Sequence, residues 1–309
     1  MLKKFLLRLL IAIALVIIGL GLWGYASDLP VEELKTKYGQ SPSQYLDIQG
    51  MEVHYRIEGQ GDTLLLLHGT AASLHTWDGW TDKLKADFTI IRLDLPAFGL
   101  TGPDPQKRYT LDGYAHFVNR FMNELGAESF SIAGNSLGGG IAWHYAALYQ
   151  ENTEKLILVD PNGLPKDGPP SFIFQLAENP ISAALLKKMT PRSIIHDNLK
   201  QVYHEDDKIT DALIDRYRDM TRRVGNRQAF VDRANIEDRF DERLFENIKA
   251  ETLIQWGRHD SWIPVADADL FHQYIQNSQV IIYENAGHVP MEEIPETTAR
   301  DVRNFLLGN

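Results

Sequence analysis

The sequence SIAGNSLGGG, residues 131–140, places one serine, Ser136, among four glycines directly after an apolar run. Glycine inside a helix or strand costs about 0.5–1 kcal/mol relative to alanine, so this cluster indicates a backbone that other residues cannot adopt. Residues 134–138 fit the pattern G-x-S-x-G between a predicted strand, 130–133, and a predicted helix, 136–149. This context predicts a nucleophile elbow, a sharp turn that exposes the serine hydroxyl at a helix N-terminus.

Predicted strands and helices alternate on both sides of this elbow. Residues 44–59 predict an antiparallel hairpin around Gln49 and Gly50. Further strands are predicted at 63–69, 88–99, 155–160, 252–256 and 279–288, and helices at 74–86, 111–126, 264–276 and 295–307. This alternation predicts an α/β fold, a mostly parallel twisted sheet with helices on both faces. Functional groups of such sheets lie in loops beyond the carboxyl ends of the strands.

The alternation is interrupted by a long segment without a clear strand. A structureless loop of this length would be unusual, so we expect an inserted helical cap at 162–246. Helices are predicted there at 172–180, 181–189, 193–203, 211–223 and 234–248. The predicted organisation is therefore a linker at 27–43 and an α/β core formed by 44–161 and 247–309, with the cap inserted between the two parts of the core.

The N-terminal residues 1–26 differ in composition from the rest of the chain. Lys3, Lys4 and Arg8 precede residues 9–26, which carry no charge. A helix of that length spans about 27 Å, close to the hydrocarbon thickness of a bilayer. We expect a transmembrane anchor with the catalytic part outside the cytoplasm; a signal peptide cleaved near Ala26 is the alternative.

Composition excludes several classes of partner and site. The 309 residues carry a net charge of −11, which disfavours nucleic acid as a ligand, and contain no cysteine. Disulfides, thiolate metal sites and cysteine nucleophiles are therefore excluded. The acidic sequence HEDD, residues 204–207, is read as a solvated turn of the cap, because four consecutive side chains cannot all face one ion. We expect no metal and no cofactor.

A serine nucleophile needs a general base and an acid that orients the base. His288 follows the last predicted strand, and Asp260 follows the strand before it. Both are therefore expected at the same edge of the sheet as Ser136. His259 is the alternative base, and Asp160, after the strand at 155–160, is the alternative acid.

Acyl transfer also requires an oxyanion hole, two N–H groups directed at the developing negative charge. One is expected from Leu137, the residue after the nucleophile, and the other from Thr70 in the loop after an earlier strand. His68 and Gly69 precede Thr70, and His68 is expected to form hydrogen bonds within that loop. Gly134 and Gly138 are expected to be structural, because larger side chains would collide across the elbow.

Residues 45–307 resemble the α/β-hydrolase superfamily with a helical cap. The resemblance rests on motifs in the family's order: His68-Gly69, RLDLPAFGLT (92–101), the serine elbow, GRHD (257–260) and NAGHVPMEE (285–293). It implies Ser136 as nucleophile, Asp260 as acid and His288 as base. Epoxide-opening and dehalogenating relatives carry aspartate at the elbow, so Ser136 argues against both activities. The sequence around Asn135 is also similar to hydrolases that cleave C–C bonds of ring-fission products.

These observations predict a carboxylesterase or lipase-like serine hydrolase acting on small-molecule esters with an apolar acyl or alcohol part. Three alternatives remain open at this point. They are a C–C hydrolase of dienoic acids, an acyltransferase or perhydrolase using the same triad, and a non-catalytic binding protein on a hydrolase scaffold.

Overall fold

One sheet organises the part of the chain that the computed structural model describes, residues 4–6, 8, 11, 19, 24–165, 168 and 171–308. Within these residues, eight strands join in the order β1-β2-β4-β3-β5-β6-β7-β8. The strands are β1 (Ser43–Ile48), β2 (Met51–Gly59), β3 (Asp62–Leu67), β4 (Phe88–Leu93), β5 (Phe130–Asn135), β6 (Thr153–Val159), β7 (Glu251–Gly257) and β8 (Ser278–Tyr283).

The direction of the strands confirms the predicted α/β fold. β1, β2 and β4 pair in antiparallel fashion, and β1 and β2 form the predicted hairpin. All pairs from β4 through β3, β5, β6 and β7 to β8 are parallel. The carboxyl ends of these parallel strands therefore share one edge of the sheet, where functional loops are expected.

Helices cover both faces of this sheet. Those of the core are α2 (Asp78–Leu84), α3 (Leu111–Glu124), α4 (Leu137–Leu148), α10 (Asp267–Tyr274), α11 (Pro290–Glu293) and α12 (Pro295–Leu307). Two clusters of buried apolar side chains form, one on each face of the sheet. Residues of α4 are buried from Leu137 to Ala147, so the helix after the elbow is enclosed by the core.

The segment between β6 and β7 contains helices and no strand among its described residues. These helices are α5 (Phe172–Glu178), α6 (Pro180–Leu186), α7 (Arg192–Val202), α8 (Asp211–Arg222) and α9 (Asn226–Ala234). The sequence does not predict α9, because two of its buried residues, Asn226 and Arg227, are polar. The segment therefore lacks the regular spacing of apolar residues that is typical of an amphipathic helix. The prediction of a helix at 234–248 was wrong, since only a 3₁₀ turn forms after α9, at Glu242–Asn247.

The residues before β1 differ from the expected linker. Residues 27–43 contain the helix α1 (Val31–Tyr38), which begins after Pro30. Leu34 of this helix is buried against Leu100 and Met220. The expected anchor, residues 1–26, falls mostly outside the described residues, and no helix among the described residues is long and apolar enough to cross a membrane.

Candidate active site

Ser136 occupies the sharp turn between β5 and α4. Its backbone has φ 53° and ψ −116°, a conformation that is rare for residues with a side chain and that stores strain. A Cβ on Gly134 would collide with the carbonyl of Gly138, and a Cβ on Gly138 would collide with the carbonyl oxygen of Leu67. The glycines at 134 and 138 are therefore required by backbone packing, and Ser136 stands directly before the first turn of α4.

His288 and Asp260 form a hydrogen-bonded pair beyond the ends of β8 and β7. His288 Nδ1 lies 2.6 Å from Asp260 Oδ2, and both side chains are buried. The other carboxylate oxygen, Oδ1, accepts hydrogen bonds from the N–H groups of Trp262 and Ile263, at 2.7 and 3.0 Å. Because a carboxylate accepts, Nδ1 carries the proton and Nε2 presents a lone pair.

The backbone of His288 is held from two sides. Its N–H donates to the carbonyl of Val202 at the end of α7, at 2.8 Å. Its carbonyl accepts from Asn135 Nδ2, at 2.9 Å. Asn135 precedes the nucleophile, so one side chain links the elbow directly to the loop that carries the imidazole. Nothing in the sequence pattern singled out this role for Asn135.

Ser136 and His288 line the same cavity, whose volume is about 140 Å³. Gly69 and Thr70 contribute to it from the loop after β3. The cap contributes mainly apolar side chains, among them Ile173, Phe174, Leu186, Met189 and Ile195. His288 Nε2 is buried and has no hydrogen-bond partner among the described residues. Ser136 and His288 thus line one cavity beneath apolar side chains of the cap, without a hydrogen bond between the hydroxyl and Nε2.

Leu137 and Thr70 are the residues predicted for the oxyanion hole. Leu137 is the first residue of α4, so its N–H has no acceptor within the helix. Thr70 lines the cavity with Ser136. His68 is fully buried, where burial lowers its pKa, and Nδ1 donates to the carbonyl of Gly69 while Nε2 accepts from the N–H of Leu95. These bonds brace the loop that carries Thr70.

The alternative acid and base are placed differently. Asp160 is fully buried beside the pair but bonds the N–H of Gly257, at 2.9 Å, and not the imidazole. His259 is exposed and stacks on His204 of the cap, with ring centroids 3.8 Å apart. Asp260, and not Asp160, is therefore the carboxylate in contact with His288.

Glu293 was missed as a positioning residue. Its carboxylate accepts from the N–H groups of Gly287, His204 and Glu205, at 2.6, 2.8 and 3.2 Å. It thereby joins the loop of His288 to the cap, and burial raises its pKa. The residue lies in the motif at 285–293, but the pattern alone gave no role to this glutamate.

One cluster has the composition of a cation site. Ligand atoms of Asp160, Asp260 and His288 lie within 4.8 Å of one another. Two of these atoms are already joined by the 2.6 Å hydrogen bond between His288 and Asp260. A cation at this point would have to break that bond, so the arrangement fits an acid–base pair better than a metal centre. In the HEDD turn, Glu205 and Asp206 pair with Lys208 and Lys200.

The chain is similar to known proteins in sequence and in fold. A family model described as alpha/beta hydrolase fold matches residues 62–295. Human monoacylglycerol lipase ABHD6 is 28% identical over 259 residues, which cover 81% of this chain and 77% of that protein.

Two solved structures superpose on most of the chain. A membrane phospholipase A, described as a bacterial virulence factor, has a TM-score of 0.76 at 27% identity, covering 99% of this chain and 98% of its own. A meta-cleavage product hydrolase from Pseudomonas fluorescens also has a TM-score of 0.76, at 22% identity, covering 86% of this chain and 98% of its own. At 22% identity, the similarity to the meta-cleavage product hydrolase shows only that the two proteins share a fold.

Proposed function

The chain belongs to the alpha/beta hydrolase fold family, and we propose that it is a serine hydrolase that cleaves carboxylic esters through an acyl-enzyme intermediate. One observation carries this proposal. Ser136, on a strained turn, shares an apolar cavity with His288, whose Nε2 has no hydrogen-bond partner among the described residues and whose Nδ1 is held by Asp260.

The proposed reaction has two halves. His288 Nε2 takes the proton of the Ser136 hydroxyl as the oxygen attacks the ester carbonyl, and the imidazolium then gives that proton to the departing alcohol. In the second half, His288 activates water, which releases the acid and restores the serine. Asp260 holds the imidazole in the tautomer and orientation that both halves need.

The negative charge that develops on the carbonyl oxygen requires donors in a dry site. The N–H groups of Leu137 and Thr70 are proposed to supply them, each lowering the barrier by about 2.7–4 kcal/mol. The apolar cap excludes water, which strengthens these bonds. No resident cofactor or metal takes part in this scheme.

Ester substrates with an apolar part are supported by two independent observations. The cavity walls contributed by the cap are apolar, with Phe174, Leu186 and Met189 among them. Two similar proteins, a monoacylglycerol lipase and a membrane phospholipase A, carry names that describe hydrolysis of lipid esters. We therefore propose a lipid or other apolar ester as substrate, in the carboxylic ester hydrolase class.

The test combines turnover with covalent labelling. The purified protein is expected to hydrolyse p-nitrophenyl esters of graded acyl length and to react with a fluorophosphonate probe. Ser136→Ala should abolish both signals, whereas Ser131→Ala, which removes a hydroxyl from the same strand β5, should leave both unchanged. Absence of turnover and of labelling in the parent, or full activity of Ser136→Ala, would overturn the proposal.

The same panel separates the other reactions open to this triad. Faster turnover of ring-fission dienoic acids than of esters would assign a C–C hydrolase. Transfer of the acyl group to an added alcohol or peroxide in preference to water would assign an acyltransferase or perhydrolase. Failure of a folded protein to react with the probe would assign a binding protein.

We further propose that residues 1–26 attach the chain to a membrane, with the catalytic part outside the cytoplasm. Residues 9–26 carry no charge, and the chain is similar to a membrane phospholipase A. Residues 24–26 pair with 188–190 beside α6, where Ile181 and Leu185 are exposed. Recovery of the protein in carbonate-washed membranes, with an intact mass that includes residues 1–26, is the expected result. Loss of these residues would assign a secreted protein.

A further inference from the structure

Asp160 is a buried carboxyl group that the proposed mechanism does not use. It follows β6 with φ 43°, and its side chain is completely shielded from solvent. Its N–H donates to the carbonyl of Gln255, at 3.0 Å, and its Oδ1 accepts from the N–H of Gly257, at 2.9 Å. The neighbouring strand β7 therefore fixes both the backbone and one oxygen of this residue.

The second oxygen of Asp160 has no acceptor role. Oδ2 is buried and has no hydrogen-bond partner among the described residues. Ligand atoms of Asp160, Asp260 and His288 lie within 4.8 Å of one another. An ionised Asp160 would place a second buried negative charge beside Asp260 without a donor for one of its oxygens. Such an arrangement is costly, because two close carboxylates in a buried site cannot both ionise readily.

The other ionisable groups around Asp160 do not relieve this cost. Glu293 from α11 adds a further negative charge, and Tyr283 from β8 is a neutral phenol that donates to Asp301. Burial and the negative charge of Asp260 raise the pKa of Asp160 well above its usual range.

We propose that Asp160 retains its proton and donates a hydrogen bond from Oδ2 to the Asp260 carboxylate, which makes it a positioning residue for the imidazole of His288. The role rests on the proposed function, since it acts on the acid of the same triad. One oxygen accepts from a backbone amide and the other donates to Asp260. Only one carboxylate charge of this pair then faces His288.

An asparagine at this position reproduces the proposed arrangement. Its amide oxygen accepts from the N–H of Gly257, and its NH₂ group donates to Asp260. Asp160→Asn is therefore expected to keep kcat/KM within about twofold and to leave the midpoint of the acid limb of the pH profile unchanged. Asp160→Ala removes the donor and should lower kcat by about tenfold, the order expected for one hydrogen bond to a charged group.

The pH profile separates positioning from a merely structural effect. Without the donor, Asp260 attracts the Nδ1 proton more strongly, so Asp160→Ala should move the acid limb to higher pH. If Asp160 is instead ionised in the parent, Asp160→Asn removes a negative charge near His288 and should move the acid limb down by about 1 pH unit or more. That shift, or unchanged kcat in Asp160→Ala, would overturn the proposal.

A spectroscopic measurement tests the proton without turnover. The infrared difference spectrum of the parent minus Asp160→Asn at neutral pH should contain the C=O stretching band of a protonated carboxylic acid. A carboxylate band in its place would overturn the proposal. Because this readout needs no substrate, a failure of the proposed ester hydrolysis is distinguishable from a failure of the proposed role of Asp160.

Discussion

The carboxyl edge of the sheet and the cap above it hold their side chains in different ways. At the edge, Ser136, Asp260 and His288 are fixed by a strained turn and by hydrogen bonds to backbone groups. In the cap, α5 and α6 expose Phe172 and Ile181, whose side chains are 67% and 78% accessible. The proposed chemistry therefore depends on backbone constraints at the edge, whereas α5 and α6 of the cap leave large apolar side chains uncovered.

Among the residues at the carboxyl edge of the sheet, substitution of the acid Asp260 should reduce activity most. Asp260→Asn keeps the shape but presents the wrong partner to Nδ1 of His288, so the imidazole adopts the wrong tautomer. A fall in kcat of about 10⁴-fold is expected, and a p-nitrophenyl ester assay measures it. Asp269→Asn on the exposed face of α10 is the matched control and should leave kcat unchanged. A loss below about tenfold in Asp260→Asn would show that Asp160 can replace it as the acid.

The elbow should be intolerant of any side chain at its glycines. Gly138→Ala places a methyl group against the Leu67 carbonyl oxygen, so the backbone of β3 or α4 must shift. The free energy of unfolding should fall by about 3 kcal/mol, measured by urea unfolding. Gly50→Ala is the control: its φ is +81° but nothing lies within 4 Å of the new Cβ, so the loss should be about 1–2 kcal/mol. Equal losses in the two variants would contradict the steric account.

Sequence patterns predicted the fold and the elbow because both are local. The apolar run predicted as a strand at 63–69 forms β3, in which Leu64 to Leu67 are buried. Gly134 is required by a contact with Gly138 inside the same turn, whereas Gly138 is required by a contact with Leu67 of β3, which lies outside it. The expected helix at 295–307 matches α12 residue for residue. In contrast, the hydrogen bond from Asn135 to His288 joins positions 153 residues apart, and no pattern in a single sequence records such a contact.

Substitutions where the cap contacts the core should lower the free energy of unfolding less than substitutions in the elbow. Glu292, in α11, accepts from the hydroxyls of Tyr203, Tyr217 and Thr76. Glu292→Gln removes the charge and one acceptor oxygen, so the free energy of unfolding should fall by about 1–3 kcal/mol. KM should also rise, because Tyr217 lines the cavity. Glu296→Gln is the control, because Glu296 is exposed and its surface ion pair with Lys83 contributes little to stability. Equal effects of the two substitutions would show that Glu292 does not anchor the cap.

The cap was harder to predict because its contacts are polar or distant in sequence. α9 buries Arg227, which pairs with Asp28 and Thr190, so its buried face lacks an apolar period. The sequence 27–43 predicts a linker because it contains Pro30, Pro42 and several charges, and α1 buries only Leu34 of its eight residues. Tertiary packing, which a local pattern does not contain, decides both elements.

The buried carboxyl beside the triad should make stability depend on pH. Burial raises the pKa of Asp160, so the folded protein keeps a proton that the unfolded chain releases above pH about 4. The folded state binds more protons, and the free energy of unfolding therefore falls as pH rises, by up to about 1.4 kcal/mol per pH unit. Asp160→Asn removes this loss, so the stability of the variant relative to the parent should increase between pH 5 and 7 in urea unfolding. A constant difference, such as Asp269→Asn should give, would contradict the buried proton.

Substitutions on the outer face of the cap should have the smallest effect on activity. We expect that effect only with substrates that lie in a bilayer. Ile181 and Leu185 of α6 are exposed close to residues 24–26, where the proposed anchor ends. Replacing both by serine should lower the turnover of a lipid ester in vesicles by about fivefold, because two apolar side chains no longer enter the interface. Turnover of a water-soluble ester should not change. Leu307→Ser, an exposed leucine at the end of α12, is the matched control; an equal loss there, or a loss on the soluble ester, would show that this face of the cap does not contact the membrane.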